Sequence, residues 1–440
     1  MGTKKKVKPP RPDYRPRMTQ KDFEVETLGK CPYKNPLQLP REYLSVKRDL
    51  HILYNNAVLH DEKLTPKKLH YFEAARPTEK IHFDPKKINV GIVSCGGLCP
   101  GINDVIRSIT FTAMAYGVKN IYGFRYGYQG LTSAYNHEAV ILNFDRIENI
   151  HDIGGTVLAT SRGPQSIQDI VDTLVKFNIS ILFVIGGDGT QHGSMEIAKE
   201  IKHRKLDISI IGIPKTIDND INFIHRSFGF YTAVEEAREA IQAARAEAKG
   251  ARNGIGIVKL MGRHSGFIAA NATLASSSVN ICLIPEIPID LDELFMKIEK
   301  RLALKPYVVI VIAEGAGQDL LKQKGHVEHD ASGNVKLKDV GIFLKDKISE
   351  YLNEKNIEHT VKYIDPSYMI RSTVANASDA SFCLQLGKYA VHAGMAGKTN
   401  VLIGHWNQHF TLCPIKLAVS GRKLVDPNSS LWLAIKEITL

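Results

Sequence analysis

ISIIGIPKTIDND, residues 208–220, joins an apolar, β-branched run to a lysine, a threonine and two aspartates. The first half, ISIIGIP (208–214), has no polar face to offer water. It reads as a strand covered on both sides, the kind that fills parallel sheets. The polar cluster PKTIDND (214–220) then falls at the carboxyl end of a buried strand. In open α/β sheets that rim is where ligands bind. Taken alone, the cluster reads equally as an Asx-rich turn closed by side-chain hydrogen bonds.

Similar runs flank it: INVGIVSC (88–95), ISILFVIGG (179–187), IGIVKLM (255–261), NICLIPE (280–286) and YVVIVIAEG (307–315). Helix-like stretches such as EAREAIQAARAEA (236–248) lie between several of them. Apolar strands alternating with amphipathic helices predict an α/β fold with parallel sheets covered by helices on both faces. A length of 440 residues predicts two domains.

The composition, 44% hydrophobic and 23% charged, is that of a soluble globular protein. No apolar stretch approaches the roughly 20 residues of a membrane helix. The start, MGTKKKVKPPRPDYRPR, has no secretory core and no Ser or Thr at the sixth position, and the chain ends EITL. A cytoplasmic location is expected. The six cysteines include no CxxC pair, so reduced thiols and no structural metal are expected. The net charge of +11 is concentrated in the first residues, a Lys- and Pro-rich segment that reads as an extended or disordered arm. The remaining surplus shows no Arg/aromatic stripe of a nucleic-acid module, which leaves anionic small molecules as the expected partners.

Two glycine turns point to phosphate. GIVSCGGLCPGIN (91–103) runs from strand to turn to helix start, and its amides face outward as a cradle or simply make a tight turn. VIGGDGTQHGSMEIAKEI (184–201) places Asp188 between glycines, where it can hold Mg²⁺ against phosphates. Thr190 can bond an oxygen or cap the next helix. GGDGT also occurs in NAD kinases and lipid kinases, so it marks phosphoryl transfer without naming a substrate. Phosphoryl transfer needs an oriented hydroxyl and neutralised charge. Asp218 can take the hydroxyl proton, Lys215 and Thr216 can contact the phosphoryl, and Asp220 can organise a metal-bound water. MGRHSG (261–266) offers Arg263, VIAEG (311–315) offers Glu314, and YIDPSYMIRS (363–372) offers Tyr368 and Arg371.

CGGLCPGIN, IGGDGT, GIPKTIDND, MGRHSGF, AEG and DPSYMIR, in this order, resemble 6-phosphofructokinases over residues 88–420. The details resemble the long-subunit group of trypanosomatid-like ATP-dependent enzymes and their pyrophosphate-using relatives. The resemblance implies two Rossmann-like lobes with the active site between them. Residues 88–232 with 372–410 would bind the phosphoryl donor, residues 233–371 with 411–440 the sugar phosphate, and 1–87 would form a partly disordered or assembly arm. It implies Asp218 as base toward the 1-hydroxyl of fructose 6-phosphate, with Thr216, Asp220 and Lys215 beside it. Asp188 would bind Mg²⁺, and Gly96, Arg162, Gly163, Gly187, Gly189 and Thr190 would hold the donor. Met261, Gly262, Arg263 and Glu314 would line the sugar site, with Tyr368 and Arg371 at the 6-phosphate. Lys362 would reach a neighbouring subunit's substrate in a homo-oligomer, expected to be a tetramer, with effector sites common in the family. Neither nucleic acid nor membrane is an expected partner.

There are departures. Many bacterial relatives carry an arginine where this chain has Gly254, with Arg252 or Asn253 nearby, and a histidine where it has Tyr368. The donor signatures also conflict. Gly189 matches ATP users, whereas Lys215 matches pyrophosphate users. An aspartate at 189 would oppose the α-phosphate of ATP with bulk and charge, and Lys215 neutralises either donor. ATP is the expected donor and pyrophosphate the alternative. A catalytically silent sugar-phosphate-sensing subunit is the reading from another class. It would predict loss of Asp188 or Asp218, and both are present.

Overall fold

The computed structural model describes residues 18–44, 50–56, 69–321, 328–329 and 335–439. The arm expected at 1–87 lies partly outside them, at residues 1–17, 45–49 and 57–68.

The apolar runs form strands, and the strands form two sheets. The larger sheet has nine strands. At its centre Val401–Trp406, Ser209–Pro214, Ile179–Gly186, Asn89–Ser94 and Asn120–Phe124 lie side by side and parallel. Every residue of Ser209–Pro214 is buried, as a strand with helices on both faces requires. Antiparallel strands close both edges: Val140–Ile141 on one, and His409–Pro414, Tyr71–Ala74 and His51–Leu53 on the other.

The smaller sheet has four parallel strands in the order Ile281–Leu283, Tyr307–Ala313, Gly254–Leu260 and Thr360–Ile364. The 20-residue helix Phe230–Lys249 packs against it. One core cluster joins this helix's buried face (Ala237, Ile241, Ala244) to both sheets, through Ile181 and Ile211 of the larger and Val258 and Val309 of the smaller. The two sheets are therefore held as one packed body.

Several described residues before 88 are built into the fold. Tyr71–Ala74 extends the larger sheet, and Glu26–Thr27 pairs with Lys398–Thr399. Phe23 and Phe72 pack with Phe223 in a separate apolar cluster. The strand His409–Pro414 crosses the 410/411 point, where the sequence suggested a change of lobe, and stays in the larger sheet.

Strand order also locates the crevice. The chain leaves Asn89–Ser94 for a neighbour on one side, Asn120–Phe124, then returns to the other side with Ile179–Gly186. Connections diverge at that switch point, opening a gap at the strand ends. The segments leaving there are Cys95–Gly97 and Gly187–Asp188.

Candidate active site

Lys215 continues the Ser209–Pro214 strand, its amide bonded to the Gly186 carbonyl. The chain then turns sharply. Asn219 adopts φ +52, a left-handed conformation that Asn tolerates. Its side-chain amide donates to the His225 carbonyl, and its Oδ1 accepts from the Ser227 amide. Thr216 Oγ1 accepts from the Asp218 amide and donates to Asp220 Oδ1. Thr216 and Asn219 thus close the turn and Asp220 is held by it. The turn's internal bonds do not use the Asp218 carboxylate.

That carboxylate has an oxygen, Oδ1, that is buried and has no hydrogen-bond partner. Burial, then the neighbouring charges of Asp220 and Glu314, push its pKa up to about 8, against the opposing pull of the Arg263 amide and the Arg422 charge. A carboxyl raised this far above its ordinary range suits a proton acceptor working near neutral pH.

Cations gather at the Gly97 turn. Lys215 is buried and its Nζ donates to the Gly97 carbonyl at 2.6 Å. A side chain built on Gly97 would meet Arg162 Nη2 at 3.2 Å and Arg371 Nη1 at 3.5 Å. Three cationic groups therefore converge on one glycine. Burial first, and the Arg162 and Arg371 charges against it, lower the Lys215 pKa. Phosphate oxygens would relieve that repulsion. Gly96 takes φ +90, its amide donating to the Ser161 carbonyl and its carbonyl accepting from Thr160 Oγ1, which ties the Arg162 loop down. Gly163, next to Arg162, has φ +97.

The helix Asp188–His203 starts one residue after its strand ends, with Gly187 at the cap position. So tight a turn needs Gly186, since a Cβ there would sit 2.3 Å from the Thr190 side chain. Thr190 is therefore not the cap; its side chain lies over Gly186 and its carbonyl accepts from Tyr128. Gly189 is exposed, and nothing lies within 4 Å of where its Cβ would be.

The smaller sheet supplies the opposite wall. Met261 and Gly262 follow the Gly254–Leu260 strand, and Glu314 follows Tyr307–Ala313, its amide bonded to the Leu260 carbonyl. Arg263 Nη1 donates to the Val335 carbonyl at 2.6 Å. Burial raises the Glu314 pKa, against the pull of Arg263, Lys259 and Arg371. Ser265 Oγ donates to the Asp218 carbonyl, tying this wall to the catalytic turn. Tyr368 is 75% exposed, with the Arg371 guanidinium over its ring.

Lys362 does not join this group. It lies mid-strand on the smaller sheet's edge, exposed, with Glu247 3.9 Å away. Nor do Arg252 and Asn253, which bind Glu358 at the amino end of the Gly254–Leu260 strand. Gly254 leaves no room for a side chain, because a Cβ there would meet the Ala248 carbonyl at 2.0 Å.

Sequence reading missed Arg422. Its Nη1 donates to Asp220 Oδ2 at 2.8 Å and its Nη2 to Asp188 Oδ2 at 3.3 Å. One guanidinium spans both carboxylate corners, so they face a single cleft. Lys423 is half-buried, desolvation lowers its pKa to about 7, and its Nζ donates to the Ile224 and His225 carbonyls. The only advance signal was the basic pair in SGRK, near the end of the chain.

Among the described residues no three His, Cys, Asp or Glu side chains group into a metal cage. Asp188, partly exposed in a helix's first turn, is a carboxylate paired with Arg422. Mg²⁺ typically takes one or two carboxylates and completes its shell with phosphates and water. The donor set fits a metal that arrives with phosphates.

Comparison with known proteins identifies the family. The Phosphofructokinase family model matches residues 89–394. An ATP-dependent 6-phosphofructokinase of Borreliella burgdorferi is 48% identical, over 95% of this chain and 96% of its own. One of Trypanosoma brucei brucei is 46% identical, over 96% and 88%. Among solved structures, a pyrophosphate-dependent phosphofructokinase from Marinobacter aquaeolei superposes with a TM-score of 0.67 at 20% identity, over 80% of this chain and 90% of that one.

Proposed function

The chain belongs to the phosphofructokinase family, and on that premise we propose that the cleft between its sheets works with Asp218 as base and Asp188 on the metal side. The chain phosphorylates fructose 6-phosphate at its 1-hydroxyl with ATP, a phosphotransfer step of glycolysis. One observation carries the assignment of residues: the Arg422 bridge that brings Asp188 and Asp220 to the same cleft.

In this reading Glu314 and Arg263 hold the sugar, with Met261 and Gly262 beneath it, and Tyr368 faces its phosphate with Arg371, whose guanidinium also reaches Gly97 of the donor turn. Asp218 accepts the 1-hydroxyl proton as that oxygen attacks the γ-phosphorus, and the bond from that phosphorus to the bridging oxygen breaks, releasing ADP. Lys215 and Arg162 neutralise the moving group, and Thr216 fixes Asp220 beside it. Gly96, Gly163, Gly187, Gly189 and Thr190 let the nucleotide phosphates approach the backbone. Mg²⁺, when bound through Asp188, would supply charge neutralisation on the phosphates.

The division into a donor lobe around the larger sheet and a sugar lobe around the smaller one is supported by where the phosphate-facing cations and Glu314 stand. A homotetramer is proposed from the family resemblance, and the exposed position of Lys362 on the smaller sheet's edge is compatible with it. A cytoplasmic location is compatible with the helices, because no helix among the described residues is long and apolar enough to cross a membrane.

The test is direct. Purified chain is given fructose 6-phosphate and Mg²⁺ with either ATP or pyrophosphate, and the bisphosphate formed is measured. Turnover with ATP, and little or none with pyrophosphate, is expected. Turnover with pyrophosphate alone would overturn the donor assignment and leave Lys215 as the residue that sets it.

A further inference from the structure

We propose that Arg422 is a built-in counter-cation of the donor site, which pairs with Asp188 until a metal–nucleotide complex arrives and so keeps bare divalent cations off that carboxylate. The proposal rests on the reading that Asp188 is the metal-side carboxylate.

The geometry makes the arginine's backbone fixed and one of its contacts releasable. Arg422 forms an antiparallel bridge with Ile221, the Lys423 amide donates to the Asp220 carbonyl, and the Val425 amide donates to Glu286 Oε1. The C-terminal segment is thereby strapped to the catalytic turn. The two ion pairs are unequal. The 2.8 Å contact goes to Asp220, whose side chain is 7% exposed and also held by Thr216. The 3.3 Å contact goes to Asp188, whose side chain is 25% exposed and whose other ion pair among the described residues is with His192, at 4.0 Å from Oδ1. Asp220 anchors the guanidinium, and Asp188 is the partner it can give up.

The charges around it fit this role. Asp188 and Asp220 are two like charges on one cleft wall, and without a cation between them each disfavours the other. A dication without phosphates would have to displace a guanidinium and then face Arg422 at close range. A dication carrying phosphates brings anions that the guanidinium can meet in exchange. His264 lies nearby, its pKa lowered by burial and then by Arg422 and Arg263.

The experiment is Mn²⁺ binding without nucleotide, followed by electron paramagnetic resonance, on wild type and on Arg422→Met. The variant is expected to bind Mn²⁺ about tenfold more tightly, as removal of a unit charge beside a partly solvated site allows. Arg422→Lys, which keeps the charge but not the fork, should fall between the two. A merely structural arginine would lower the melting temperature without raising metal affinity. Unchanged or weaker Mn²⁺ binding in both variants would overturn the proposal. The double variant with Asp188→Asn should lose the gain. If it keeps the gain, or if Asp188→Asn alone leaves Mn–ATP binding unchanged, the Asp188 reading itself fails. If Asp188→Asn weakens Mn–ATP binding while Arg422→Met gains nothing, only the counter-cation role falls.

Discussion

Asp218→Asn lowers kcat by about 10²–10⁴, the range a positioned base contributes, and leaves the KM for fructose 6-phosphate within a few-fold of wild type. The expectation follows from how the turn is built. Thr216 and Asn219 make the hydrogen bonds that hold it, so the turn survives loss of the carboxylate. Asparagine keeps the shape of Asp218 but cannot take a proton. A large rise in KM with kcat intact would show that Asp218 binds sugar and that the base lies elsewhere. The same variant also tests the electrostatics. The folded-state pKa of Asp218 is raised, so the unfolded chain releases this proton at lower pH than the folded one. Stability is therefore lost as pH climbs from the ordinary carboxylate range toward about 8, by up to about 1.4 kcal/mol per pH unit for this group. Asparagine escapes that loss. Thermal melts should show the variant above wild type at pH 8.5 and the gap narrowing by pH 5.5.

Gly189→Asp is expected to cut kcat/KM for ATP about a thousandfold while sparing whatever pyrophosphate activity exists. Gly189 is exposed, has an ordinary backbone conformation and has open space at its Cβ position, so the fold tolerates a side chain. What the aspartate meets is the nucleotide. Two unit charges at about 4 Å repel by roughly 4 kcal/mol at a near-surface effective dielectric, which is close to a factor of a thousand. Pyrophosphate has no α-phosphate to oppose. Kinetics with both donors on both proteins would decide it; equal losses with the two donors would remove steric and charge exclusion as the basis of donor choice.

The fold was legible where burial is two-sided. A strand such as Ile179–Gly186 or Tyr307–Ala313 has helices on both faces, so nearly every residue is apolar and the run stands out. The helix expected at 236–248 lies inside Phe230–Lys249 for the matching reason, a stripe of Ala and Ile at helical spacing. The antiparallel edge was not legible. His51–Leu53 and Tyr71–Ala74 are short and half-exposed, and Tyr71–Ala74 owes its place to a partner more than 300 residues away. The site divides along the same line. Residues that leave parallel strands, such as Lys215, Asp188, Gly262 and Glu314, sit in glycine- or charge-rich ends that interrupt apolar runs. Arg422 lies in a short basic pair with no periodic context, 202 residues after Asp220, and only the folded chain brings them together. Lys362 shows the opposite limit: its residue type fits a substrate contact, but its own chain places it beside Glu247 at the surface.

The central claim is that one carboxylate of this cleft faces the hydroxyl that accepts the phosphoryl group. A crystal structure of the chain with fructose 6-phosphate and a non-hydrolysable Mg–ATP analogue measures it. A carboxylate oxygen of Asp218 should lie about 3 Å from the sugar's 1-hydroxyl, with that hydroxyl in line with the γ-phosphorus. A 1-hydroxyl seated against another acceptor, with Asp218 out of hydrogen-bond reach, would contradict the account.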